Sequence, residues 1–137
     1  MKKMNNKGFS LVELIIVIAI MAILIGVLAP QYLKYVEKSK ISSDKDTLDS
    51  VYQACTTAAA DPDLSASVPG AQSWTAFTSI VTGDWGSEVL TTLGLQTPSS
   101  LSPKLKSKTC KNNPVQVSVD NMGNFYVSCS SIQIPEQ

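Results

Sequence analysis

KGFSLVELIIVIAIMAILIGVLAP, residues Lys7 to Pro30, is the stretch on which the reading of this 137-residue chain turns. From Leu14 to Ala29 every residue is apolar or Gly, yet Glu13 places an ionisable carboxyl near the start of the run. At about 1.5 Å per residue, a helix over Phe9 to Ala29 matches a hydrocarbon core of roughly 30 Å. A Glu in such a span costs on the order of 2–3 kcal/mol on lenient insertion scales, less near its end, and such residues usually have a partner. No Lys lies deeper in the span to provide one.

The run is too long for the core helix of so small a chain. A cleaved secretory signal would carry a basic tip, here Lys2, Lys3 and Lys7, then an apolar run and small residues such as Gly26 to Ala29. Pro30 directly after the cut and Glu13 inside the run argue against it. A plain signal anchor, with the lysines holding the N-terminus in the cytoplasm, explains orientation but not the carboxyl.

Lys7-Gly8-Phe9-Ser10-Leu11-Val12-Glu13-Leu14 resembles the prepilin processing motif of type IV pilins and related pseudopilins. The resemblance covers about the first 35 residues and joins independent parts: a basic leader, Gly then Phe, Glu at the right offset, an apolar run and Pro30. It implies that a prepilin peptidase cuts after Gly8 and that the new N-terminal Phe9 is methylated. Glu13 then pairs with the Phe9 amine of a neighbouring subunit. A lone carboxylate and a lone ammonium are each costly in low dielectric, and pairing offsets much of both penalties. The pairing is directional, so it builds an open helical polymer.

Pro30 removes one backbone hydrogen bond and Gly26 loosens the same turn, so a kink or locally melted turn is expected there. The family's helix partly unwinds at this position in the filament. Beyond it, Ile41, Leu48, Tyr52, Cys55 and Ala59 form one stripe at about 100° per residue, with Val51 at its edge. Asp61-Pro62 marks the stop. A helix from Ser10 to Ala60 would approach 75 Å. Residues 61–109 pattern weakly: DPDLSASVPGAQ and QTPSSLSPKLKSKT read as loops, SWTAFTSIV fits helix or strand, and Ser87 to Leu93 reads as a short helix ended by Gly94.

Val115, Val117 and Val119 alternate with polar residues, as do Phe125, Val127 and Cys129. Asn121-Met122-Gly123 suits a three-residue hairpin loop, which pairs Val119 with Phe125, Val117 with Val127 and Val115 with Cys129. The three cysteines, Cys55, Cys110 and Cys129, are too widely spaced for a zinc pattern, and there is no His. One disulfide and one spare thiol is the simplest count after export. The resemblance implies a C-terminal bridge between Cys110 and Cys129, closing a loop of about twenty residues worth roughly 3 kcal/mol. Cys55 linked to either of them is the rival pairing, and a small buried hydrophobe is its other reading.

No nucleophile elbow, phosphate loop or metal cluster appears, so no enzymatic activity, cofactor or metal is expected. Asp44, Asp46 and Asp49 read as a solvated helix face rather than a calcium site, and Asp61 with Asp63 is a weak calcium candidate. Phe9, Tyr32 and Tyr35 read as packing and interface anchors. The precursor is formally neutral, but without residues 1–8 eight Lys face eleven acidic residues, a net charge of about −3. With no Arg and no basic patch interleaved with aromatics, nucleic-acid binding has little support.

The expected fold is α+β, a long N-terminal helix packed on a small antiparallel sheet. Its parts are a leader (1–8), an apolar helix (9–30), an amphipathic helix (31–60), a connection (61–109) and a C-terminal hairpin region (110–137). The resemblance implies a type IV pilus subunit, single-pass in the bacterial cytoplasmic membrane with its N-terminus inside, then part of a cell-surface filament. Implied partners are identical subunits, the peptidase, an inner-membrane platform protein, an assembly ATPase and membrane lipid. Alternatives are a pseudopilin of type II secretion or competence DNA uptake, and a monomeric signal-anchored surface-binding domain.

Overall fold

The computed structural model describes residues 8–136, so most of the expected leader (1–8), with Lys2, Lys3 and Lys7, lies outside the described residues. The chain divides into two compact units, Met1–Val36 and Glu37–Gln137. Gln31 to Tyr35 are exposed, and it is only beyond them that helix side chains become progressively covered.

Helix α1 (Leu11–Ala59) starts on Ser10, whose carbonyl accepts from the Leu14 N–H at 3.1 Å. It runs without interruption through Pro30, with no melted turn. Proline there removes only the bond to the Gly26 carbonyl, leaving the neighbouring helical bonds in place. The helix ends at Asp61-Pro62 as expected, where the Asp61 carboxylate accepts from the Asp63 N–H at 3.0 Å and caps a 3-10 turn, Pro62–Ser67.

In the second unit α1 buries Asp44, Leu48, Val51, Ala54, Cys55 and Ala58. The face is rotated from the expected stripe: Val51 is central, while Ile41, Tyr52 and Ala59 are only partly covered. The reason is that the connection covers the helix as well as the sheet. Residues 61–109 contain strand β1 (Gln72–Ala76), helix α2 (Phe77–Ile80), helix α3 (Gly83–Leu93) and a 3-10 segment, Pro98–Lys104. The ambiguous SWTAFTSIV is thus a strand followed by a helical turn. Helix α3 starts at Gly83, earlier than Ser87, but ends as predicted at left-handed Gly94, whose N–H reaches the Leu90 and Thr91 carbonyls. Trp85 is fully buried, stacks on Phe125 at 5.5 Å and donates its indole N–H to the Cys55 carbonyl at 3.4 Å. Gly86 lets the first turn of α3 lie close over the Val81 backbone, since a Cβ there would be 2.6 Å from the Val81 carbonyl carbon.

After the short helix α4 (Lys108–Lys111) come β2 (Gln116–Val119), β3 (Phe125–Cys129) and β4 (Ile132–Ile134). They form an antiparallel sheet in the order β1-β2-β3-β4. The fold is α+β, a long N-terminal helix with a small antiparallel sheet. Val119 opposes Phe125 and Val117 opposes Val127 as the alternation predicts, and Gly123 closes the loop at φ 85°. The third expected pair is not part of the ladder, which ends at Gln116 opposite Ser128. The Val115 carbonyl instead accepts from the Phe77 N–H at 2.8 Å, tying the sheet to α2.

Candidate functional site

Gly8, Phe9 and Ser10 lead into the first turn of α1. The Ser10 hydroxyl oxygen accepts from the Glu13 N–H at 3.2 Å, so Ser10 caps the helix. Ser10-Leu11-Val12-Glu13 is therefore a capping segment of the S-x-x-E kind, a local signal that the processing motif had hidden. It holds Glu13 in the first turn, where the helix dipole favours an anion. Glu13 and Phe9 are exposed, Phe9 at 84%, and no salt bridge among the described residues involves Glu13.

The next five turns present aliphatic side chains all round. Leu11, Ile15, Ile18, Met21, Ile25 and Leu28 each expose half or more of their surface, and none of the apolar span is covered by the rest of the chain. A helix apolar on every side is one whose surroundings are apolar, lipid or other helices. The helix is long and apolar enough to cross a membrane. Pro30 leaves the Gly26 carbonyl without its helical donor, and Gly26 itself has open space around it.

The second unit holds the cysteines. Cys110 and Cys129 form a disulfide with their Cα atoms 5.4 Å apart, and Cys55 is free and buried, its thiol pushed up to about 12 by burial. Such a thiol stays protonated and unreactive. Around the bridge lies an arrangement the sequence did not reveal. Asp44, read as part of a solvated face, is fully buried, and its two oxygens accept from the Lys106 and Ser107 N–H groups, each at 2.8 Å. Seven residues earlier on α1, Glu37 accepts from the Lys108 N–H at 2.8 Å. The Ser107 hydroxyl in turn accepts from the Cys110 N–H at 3.2 Å. Two helix carboxylates thus hold the backbone that enters the disulfide loop.

Among the described residues no three His, Cys, Asp or Glu side chains converge on a metal position. The candidate carboxylates have other work: Asp49 accepts from the Gln53 amide at 3.0 Å, and Asp61 caps its turn.

Residues 3–29 match the family model described as the prokaryotic N-terminal methylation motif. The chain is also similar to the type IV major pilin protein PilA of Myxococcus xanthus, 42% identical over 50 residues. The similarity is confined to the N-terminal segment, which resembles that of a type IV pilin. The aligned part is 36% of this chain and 23% of the Myxococcus protein. No solved structure matches the chain. In this segment Phe9, Glu13 and the apolar span follow one another at the start of α1. An apolar N-terminal helix of this length fits insertion in a membrane.

Proposed function

We propose that this chain is the structural subunit of a type IV pilus. It enters the membrane as a prepilin with its N-terminus inside, is cut between Gly8 and Phe9, is methylated on Phe9, and polymerises with identical subunits. The observation that carries this reading is an unbroken helix, apolar all round from Leu14 to Ala29, with an exposed carboxylate capped into its first turn at Glu13. In lipid each subunit's Glu13 lacks a cation, and the Phe9 ammonium of a neighbour supplies it in the filament. Pro30 and Gly26 mark where α1 loosens during assembly. Its partners in processing and assembly are a prepilin peptidase, an inner-membrane platform protein and an assembly ATPase.

Shearing surface filaments, imaging them and sequencing the subunit's N-terminus by mass spectrometry tests the reading. Long filaments beginning at N-methylated Phe9 are expected. Processed protein without long filaments identifies a pseudopilin instead, and an uncut leader refutes both.

A further inference from the structure

The charges of the second unit are sorted by position. No lysine occurs between Lys45 and Lys104 or after Lys111. The fold brings the two lysine-bearing stretches together, because Asp44 and Glu37 bind the backbone of Lys106, Ser107 and Lys108. One end of the unit therefore carries seven lysines (Lys38, Lys40, Lys45, Lys104, Lys106, Lys108 and Lys111) against five carboxylates (Glu37, Asp44, Asp46, Asp49 and Glu136). Of those carboxylates, Asp44 and Glu37 are hydrogen-bonded to backbone and Glu136 pairs with Lys45 at 2.9 Å.

The rest of the unit carries carboxylates and no lysine. Asp61 and Asp63 follow the end of α1, and Asp84 lies at the start of α3, where the Trp85 N–H donates to Ser67. Asp120 opens the loop whose Gly123 and Asn124 face Ala59 and Ala60 across a shallow groove. From Ile41 to Ala59 the helix axis covers about 27 Å at 1.5 Å per residue. That is several Debye lengths at physiological salt, so the two ends act as separate poles.

We infer that the lysine pole of one subunit docks on the carboxylate pole of the next. This rests on the filament reading above: subunits polymerised in one orientation always bring unlike ends together along the axis. The partner is a second copy of this chain, recognised by charge complementarity. Such complementarity sets orientation and encounter rate and is weakened by salt. Exposed Lys106, Lys108 and Lys111 form one side of the contact, exposed Asp63 and Asp84 the other.

The test uses full-length chains expressed for filament assembly. One variant carries Lys106→Glu, Lys108→Glu and Lys111→Glu, a second carries Asp63→Lys and Asp84→Lys, and a third carries all five changes. Each pole reversal alone is expected to lower sheared filament per processed subunit roughly tenfold, and the combination to restore it to within about threefold. Thermal melting and an intact disulfide check that each variant folds, and Lys→Gln versions give a milder loss without repulsion against Asp44. Filaments indifferent to both reversals, or a combination no better than either half, overturn the pairing alone. Wild-type subunits that are processed but never form filaments overturn the filament reading and the pairing with it. Loss of binding to anionic vesicles or to DNA, with assembly unchanged, assigns the lysine pole to those surfaces and also overturns the pairing.

Discussion

Replacing Asp44 by Ala should destabilise the second unit by roughly 2–5 kcal/mol. Asp44 is fully buried and accepts two N–H bonds of 2.8 Å, one from Lys106 and one from the buried Ser107 amide. Removing the carboxylate leaves both donors without a partner, at about 1–3 kcal/mol each. Against a stability of roughly 5–15 kcal/mol for a unit of this size, such a loss is large. Asp44→Asn should cost less, about 1–3 kcal/mol, because one carbonyl oxygen still accepts while the amide NH₂ opposes the second donor. The assay is urea unfolding of a fragment spanning Glu37–Gln137, a compact unit by itself, with the Cys110–Cys129 bridge intact. The midpoint should fall at unchanged slope, furthest for Ala. An Ala variant within about 0.5 kcal/mol of wild type would refute the reasoning, since it would mean water replaces the carboxylate at no cost.

Gly86→Ala should destabilise the same fragment by about 1–3 kcal/mol, as a Cβ 2.6 Å from Val81 forces α3 and Trp85 outward; loss of near-ultraviolet circular dichroism reports it. Replacing Cys110 and Cys129 together by Ser should cost roughly 3 kcal/mol by chain entropy, read as a fall in the urea midpoint, while Cys55 resists alkylation until the unit unfolds. The Asn124 side chain, then its backbone N–H, hold the Asp120 carboxyl below its ordinary value, so its contribution is present above the unfolded pKa and is lost as pH falls through the folded one. Asp120→Asn should therefore flatten the acid limb of the stability profile below about pH 4. Glu13→Ala should leave cleavage after Gly8 intact and abolish most filament assembly, measured by shearing; normal filaments from that variant would remove the account of the carboxyl.

The legible features were those whose cause lies within a few neighbouring residues. Alternation over Val117, Val119, Phe125 and Val127 with Gly123 between them fixes a hairpin register, and the structure has that register. Gly94 ends α3 because its positive φ suits glycine. Strand β1 was not legible: Gln72 to Ala76 has no alternation, and it is a strand because β2 offers it an edge. Asp44 was misread for a related reason. Its neighbours Ser43, Lys45 and Asp46 mark a polar surface, and its donors lie more than sixty residues away. The capping role of Ser10 was legible in principle, since it needs only four residues, but a longer motif covers the same letters.

Glu13 and Asp44 show how position rather than residue type decides what a carboxylate does. Asp44 is surrounded by protein and has its donors within the chain, so it stabilises the fold. Among the described residues no buried side-chain polar atom lacks a partner, and Trp74 and Met122 are the large apolar side chains that the second unit exposes. That unit has little reason of its own to associate strongly. Among the described residues the exposed apolar surface runs instead along α1 from Leu11 to Tyr35, and Glu13 near its start has no salt-bridge partner. On the filament reading proposed above, the drive to assemble resides in that part of the helix, where burial is non-directional and large. On that same reading, orientation needs a directional term, which charge would supply twice: at Glu13, toward the amine of the next chain, and at the two poles of the second unit.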